Sequence, residues 1–481
     1  MSQDKLSQLF GAVANRFTGS GGSVSQDKLS KLLGIAARKF HVPGIGVGVV
    51  FDGKVTYASS GVTNIETPAP VDEDTLFVIA SITKTFTATA IMHLVADGKI
   101  ALDAPVKKYI PELKLKDPEA AEQITVLNLL NHTSGLGWRL DADTGEGDDA
   151  LEKFVAKMVD LQQIDSPGTR ASYSQAGYDL LGRVIEKVTG ETYEQAVTSL
   201  LLEPLGLANS FFALNDITSR RFAVGHNADD DGKLSIAHVL KYSRAENPGG
   251  GLASSVTDLI RWARFHLGDG NENGDRVLPT KALKEMQKPT VELRGSSLGD
   301  AIGIGWFLRD INGVKTVGHS GSGNGQFADL LLVPERNFAV VALCNAGPNG
   351  IQLNQAVLQW ALQKYLGLVE RAPKPLPYDS RRAQEIVGKY ENKIQIVTIA
   401  SNGKKLTIAA GIKPEVRTAS EKELPADYPP ATMGLLPGEK DEYIVTAGGM
   451  KGQRGFFARD ENGAIKGLDI GGRTFAKIDS Q

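Results

Sequence analysis

Strand patterns occupy the two ends of the stretch from Val47 to Cys344 and are nearly absent between them, which sharply limits the folds open to this chain. Residues 47–51 and 55–58 alternate around Asp52-Gly53, a two-residue hairpin signal. Comparable patterns return only over residues 305–308, 315–317, 327–333 and 338–344. From about 81 to 290 apolar residues recur at helical spacing. The economical solution is an α+β domain in which both chain ends build one antiparallel sheet and the middle forms a helical subdomain against it. A helix over 351–366 closes this domain.

At 481 residues the chain is too long for one small core. Arg371-Ala372-Pro373-Lys374-Pro375-Leu376-Pro377 reads as a stiff linker. Beyond it, short strands over 394–399 and 405–408 flank Asn402-Gly403, and 456–459 precedes Asn462-Gly463. This predicts a small β-barrel of about 100 residues. Near the start, Ser2-Gln3-Asp4-Lys5-Leu6-Ser7 recurs as Ser25-Gln26-Asp27-Lys28-Leu29-Ser30, with Gly19-Ser20-Gly21-Gly22-Ser23 between the copies. Each copy has the pattern of a short amphipathic helix. The expected organisation is a helical arm over 1–40, the α+β domain over 41–370, the linker over 371–384 and the barrel over 385–481.

The chemistry centres on Ser81-Ile82-Thr83-Lys84, where an apolar run over 76–80 gives way to a helical pattern ending at Gly98. Residues i and i+3 share a helix face, so Lys84 Nζ can reach Ser81 Oγ. The helix N-terminus favours an alkoxide and a neutral, basic lysine. Alone, such a pair is far more often a capping serine and an exposed lysine. Two later segments raise its meaning: Tyr173-Ser174-Gln175 and His319-Ser320-Gly321.

Together these segments resemble the penicillin-recognising serine hydrolases, the branch holding class C β-lactamases, DD-peptidases, D-aminopeptidases and related esterases. That family places Ser-x-x-Lys, Tyr-x-Asn and Lys-Thr-Gly or His-x-Gly around one cleft. Leu129-Leu130-Asn131-His132-Thr133-Ser134-Gly135-Leu136 and Asn247-Pro248-Gly249-Gly250-Gly251-Leu252 are similar as well, and the likeness spans roughly 40–366. The chain departs in carrying Gln175 where the family usually has Asn. The barrel is similar to the lipocalin-like domain appended to some D-aminopeptidases.

The resemblance implies an acyl-enzyme at Ser81, with Lys84 as its base and Tyr173 shuttling the proton to the leaving group. It implies an oxyanion hole at the backbone N–H groups of Ser81 and Ser322. Gln175 would offer its amide to the acyl side chain, and Ser320 and Gly321 would line the substrate strand. His319 stands where many relatives carry Lys; an ordinary imidazole is mostly neutral at pH 7, so the anchor for a substrate carboxylate is weakened. A peptidase or amidase of D-aminopeptidase type is expected, with a carboxylesterase or weak β-lactamase as rivals and a non-catalytic binding protein as the alternative of another class.

Gly295-Ser296-Ser297-Leu298-Gly299 formally matches Gly-x-Ser-x-Gly, but Arg294 precedes it and a strand-like run follows, so a loop is expected. Gly321-Ser322-Gly323-Asn324-Gly325 lacks the ending of a phosphate loop. The seven histidines are scattered without a paired metal spacing, so no metal and no cofactor are expected. Net charge is −3 with no basic run, giving no nucleic-acid signal, and no stretch is apolar enough to span a membrane. The polar N-terminus and the single Cys344, set in an apolar strand pattern, point to a cytoplasmic protein. Its partner is a small-molecule or peptide substrate, and a homo-oligomer is compatible with this reading.

Overall fold

A computed structural model describes residues 24–478 except 141, 230–231, 269–271, 420–426 and 439–440. The first copy of the N-terminal repeat lies outside the described residues. The second copy begins helix α1 (Gln26–Phe40), whose Leu29, Leu32, Leu33 and Phe40 are buried. The chain divides into two compact units, one running to residue 291 and resuming over 301–369, the other combining 292–300 with the residues from 370 onward.

The larger unit is built on strands β1 (Gly44–Phe51), β2 (Lys54–Gly61), β3 (Val291–Glu292), β4 (Ala301–Ile302), β5 (Phe307–Ile311), β6 (Val314–Ser322), β7 (Phe327–Val333) and β8 (Phe338–Cys344). They form one sheet in the order β2-β1-β8-β7-β6-β5-β4-β3. The two ends of the domain meet where β1 pairs antiparallel with β8, from Ile45 opposite Cys344 to Val50 opposite Ala339. The β1–β2 turn is as the sequence implies: Asp52 and Gly53 both take positive φ, 52° and 70°.

Alternation along β1 sends Ile45, Val47 and Val49 into a core shared with α1 and with Leu353, Val357 and Trp360 of the helix over Asn349–Leu366. The glycines between them face the other way. An added Cβ at Gly48 would stand 2.5 Å from Ile260 Cγ1, and one at Gly46 would stand 2.9 Å from Val256 Cγ2. Those neighbours belong to the helix over Val256–Leu267, which can therefore lie directly on the strand. Helices α2 (Thr83–Ala96), α3 (Gln175–Thr189), α4 (Val256–Leu267) and α5 (Asn349–Leu366) frame the domain. Phe86 of α2 stacks on Trp262 of α4 with centroids 3.9 Å apart and planes 7° from parallel. Trp262 Nε1 also donates to Thr85 Oγ1 at 3.0 Å, fixing α2 against α4. Each buried ring of this kind contributes about 1.5–3 kcal/mol, so α2 is held rigidly from behind.

The second unit carries a closed barrel of strands β9 (Gly388–Glu391), β10 (Gln395–Ser401), β11 (Leu406–Ile412), β12 (Tyr428–Leu435), β13 (Glu442–Val445), β14 (Arg454–Arg459), β15 (Ile465–Ile470) and β16 (Arg473–Ile478) in sequential order. Closure comes from β9 against β16, with Tyr390 opposite Lys477. Val397, Ile399, Ile408, Phe457, Leu468 and Phe475 fill it. Buried Tyr443 satisfies its hydroxyl on the Asp469 carbonyl at 2.7 Å. The proline-rich run is not a free spacer throughout, since Leu376 N–H donates to the Leu435 carbonyl at 2.7 Å. The Gly-x-Ser-x-Gly look-alike belongs to this unit as a loop: Ser297 Oγ donates to Gln453 Oε1 at 2.7 Å, and no helix follows it.

Candidate active site

The apolar run before Ser81 forms a strand only over Phe77–Val78, paired with Ala253–Ser254. It is cut short because Ala80 turns into the left-handed region at φ 44°, a conformation that costs a non-glycine residue about 1–3 kcal/mol. Surrounding bonds hold that turn: Ile79 N–H donates to the Leu252 carbonyl at 3.0 Å, and Ile82 N–H returns to Ile79 at 3.2 Å. Ser81 thus sits on a tight 3₁₀ turn, Ala80–Ile82, immediately before α2, rather than inside the helix. Its side chain keeps partial access to solvent while its neighbours are buried.

Lys84 is fully buried at the start of α2. Its Nζ donates to Ser81 Oγ at 3.2 Å, to Gln175 Oε1 at 2.6 Å and to the Gly249 carbonyl at 2.5 Å. An ammonium has three donors, and each has an acceptor here. Nζ also lies 5.0 Å from the centre of the Tyr173 ring. The i,i+3 reach expected from the sequence is therefore present.

Tyr173 precedes α3, whose N-cap is Ser174. The segment is clamped from two sides. Ser172 N–H donates to the His132 carbonyl at 2.8 Å, and Ser174 N–H donates to His132 Nδ1 at 3.2 Å. Gln175 N–H donates to the Trp138 carbonyl at 2.7 Å. The His132 ring itself packs 4.5 Å from the Tyr173 ring. Burial, with help from the Lys84 charge, holds His132 well below the ordinary imidazole range, so it stays neutral and accepts at Nδ1.

Gln175 is turned inward. Its oxygen accepts from Lys84 and its nitrogen donates to Asp179 Oδ1 at 3.2 Å. The resemblance implied an amide offered to substrate; the longer side chain instead spans two protein groups, leaving one N–H for a ligand.

The strand β6 brings His319 to the same place. Its ring lies 4.9 Å from Phe307 and 6.5 Å from Tyr173. Nδ1 donates to the Ser320 carbonyl at 2.8 Å, leaving the lone pair on Nε2. Burial, reinforced by the Lys84 charge, lowers its pKa to about 3. The imidazole is thus neutral far more completely than its ordinary pKa implied. Ser320 does not present its hydroxyl here. Successive strand residues face opposite ways, and Ser320 is paired with Asp329, whose carboxylate meets Asn354 of α5 at 3.1 Å on the other face of the sheet. Ser320 supplies its carbonyl to His319 instead. Ser322 has an exposed side chain of the same parity, so the group it can bring to the cleft is its backbone.

Gly321 has a tighter duty than letting a substrate approach. An added Cβ would lie 2.0 Å from the Ile79 carbonyl oxygen and 3.2 Å from Ser81 N. The strand is pressed on the turn that presents Ser81. Gly321→Ala must therefore displace backbone rather than a flexible side chain. Because a misplacement of about 1 Å costs on the order of 100-fold, this variant is expected to lose at least that much kcat/KM on a p-nitrophenyl ester. Activity within threefold of wild type would contradict this packing.

Asp179 escaped the sequence reading. It is buried, and its Oδ1 accepts from both Gln175 Nε2 and Gly249 N–H, each at 3.2 Å. Burial and the neighbouring Glu246 raise its pKa well above the usual carboxylate range, while Lys84, Arg139 and the Gly249 N–H oppose that shift. The available signal was an acid on the apolar stripe of α3, one turn after Gln175. Among the described residues no group of three or more His, Cys, Asp and Glu side chains is placed to hold a metal, and no helix is long and apolar enough to cross a membrane.

A serine, a buried amine, a tyrosine and a neutral histidine thus converge on one cleft from α2, the start of α3 and β6. The sequence profile described as Beta-lactamase matches residues 31–362. The chain belongs to the β-lactamase family. It is 35% identical to penicillin-binding protein 4 of Amycolatopsis lactamdurans over 313 residues, 64% of this chain and 82% of that protein. Among solved structures, SurE superposes with a TM-score of 0.72 at 25% identity, covering 99% of this chain and 100% of SurE. A second structure, SurE with D-Leu, gives 0.72 at 26% identity over 94% and 99%. An octameric penicillin-binding protein homologue from Pyrococcus abyssi gives 0.63 at 25% identity over 92% and 97%. As a member of this family the protein is a serine hydrolase with a β-lactamase-like domain and a C-terminal barrel.

Proposed function

We propose that the protein hydrolyses an amide or ester through an acyl-enzyme at Ser81, acting as a peptidase or amidase of D-aminopeptidase type. Lys84 Nζ, 3.2 Å from Ser81 Oγ, carries this reading. In the neutral state the amine takes the hydroxyl proton as Oγ bonds to the substrate carbonyl carbon. The oxyanion forms against the backbone N–H groups of Ser81 and Ser322. Tyr173, beside Lys84, passes the proton to the leaving amine or alkoxide as the C–N or C–O bond breaks. Water then attacks the acyl carbon, gives up a proton along the same path and releases Ser81 with the acid product.

Two observations narrow the substrate. A neutral His319 offers no fixed cation, so a free carboxylate beside the scissile bond gains no ion pair there. SurE, similar along its whole length, has been solved with D-Leu, which supports a D-residue beside the scissile bond. The lipocalin-like reading of the barrel agrees with a D-aminopeptidase. The neutral His319 favours a carboxylesterase as second reading. The octameric P. abyssi homologue supports a homo-oligomer for this chain.

Turnover of D-Leu and L-Leu p-nitroanilides, p-nitrophenyl butyrate and nitrocefin, measured side by side, tests this. The expected order has the D-anilide at least tenfold above the L-anilide and nitrocefin slowest. Preference for the L-anilide defeats the D-specific reading. An ester turned over with both anilides inert selects the esterase, and nitrocefin as best substrate contradicts the role given to His319.

A further inference from the structure

We infer that Asp179 is a positioning residue that orients the Gln175 amide, so that the lone pair of Lys84 points at Ser81. The inference rests on Lys84 acting as the base. Four groups close a ring: Lys84 donates to Gln175 Oε1 and to the Gly249 carbonyl, while Gln175 Nε2 and Gly249 N–H both donate to Asp179 Oδ1.

An amide can present either its oxygen or its nitrogen to Lys84, and the two ends differ little in size. Asp179 decides between them. Its Oδ1 accepts, so the Gln175 NH₂ turns toward it and the oxygen turns toward Lys84. A neutral amine has two N–H groups and one lone pair. Gln175 Oε1 at 2.6 Å and the Gly249 carbonyl at 2.5 Å take the two N–H groups. The remaining direction, toward Ser81 Oγ at 3.2 Å, is left for the lone pair. Were Gln175 reversed, its NH₂ would face the amine, an N–H of Lys84 would lose its acceptor, and the lone pair would turn to the amide.

Gln175 and Asp179 stand four residues apart on α3, neighbours on one helix face. Gly249 completes the fit: an added Cβ there would lie 1.7 Å from Gln175 Nε2, so the amide has no room to swing aside. Glu246 does not compete for Lys84 as a free acid, because it pairs with Arg139 at 2.7 Å.

The test uses the full chain and a p-nitrophenyl ester, comparing Asp179→Ala, Asp179→Asn, Gln175→Ala, the Asp179→Ala/Gln175→Ala double variant and Ser81→Ala. Asp179→Ala should lower kcat 10- to 100-fold with KM within twofold of wild type. Asp179→Asn, which keeps an accepting oxygen, should stay within fivefold of wild type. The double variant should lie within twofold of Gln175→Ala, since Asp179 acts through that amide. Asp179→Leu, of similar volume and without an acceptor, replaces Asp179→Ala if the latter does not fold. Wild-type kcat in the acceptor-free variant, an Asn variant as poor as Ala, or multiplying losses would each overturn the inference. Should Ser81→Ala stay active, the assignment of the nucleophile itself fails, a separate result.

Discussion

Ser81→Ala is expected to lower kcat/KM on a p-nitrophenyl ester by at least about 10⁴-fold, the scale seen when a catalytic nucleophile is removed. The fold should be untouched, because the Ser81 turn is held by Ile79, Leu252 and Ile82 main-chain bonds and not by the serine hydroxyl. Far-ultraviolet circular dichroism and melting should match wild type while steady-state turnover disappears. Ser297, whose surroundings formally match Gly-x-Ser-x-Gly, lies on a loop of the barrel unit and donates its hydroxyl to Gln453 Oε1 at 2.7 Å, an amide oxygen and not a base.

Lys84→Met and Tyr173→Phe are each expected to cost about 10²–10⁴-fold in kcat, as loss of a positioned acid or base does. The double variant should be no more than threefold below the worse single one. The two groups serve one proton path, with Nζ 5.0 Å from the Tyr173 ring centre, and groups that act as a unit are strongly non-additive. Losses that multiply in the double variant would show that the lysine and the tyrosine do not share a proton. Methionine keeps the stem volume of Lys84, so a fall in activity reflects the missing amine.

Much of this site was legible in the sequence because its signals are local. Ser81 and Lys84 are three residues apart, and the helix after Tyr173 has a plain apolar stripe. The Asp52-Gly53 and Asn402-Gly403 turns mark hairpins by their own backbone chemistry. What escaped depends on partners far away in the chain. Gly321 looks like a strand glycine until Ile79 is found against it. Asp179 looks like an acid in a helix until Gly249 and Gln175 converge on it. Ser320 could have been read correctly: strand parity opposite His319 already turns its hydroxyl from the cleft. The assignment of residues 292–300 to the barrel unit escapes the linear pattern, which marks Gly295-Ser296-Ser297-Leu298-Gly299 only as a loop.

The central claim is a covalent acyl-enzyme at Ser81. Intact-mass and peptide mapping after treatment with a fluorophosphonate ester measures it most directly. One adduct per chain, located on the peptide holding Ser81 and absent in Ser81→Ala, is the result this account requires. An adduct on Ser297, or full labelling that persists in Ser81→Ala, would contradict it.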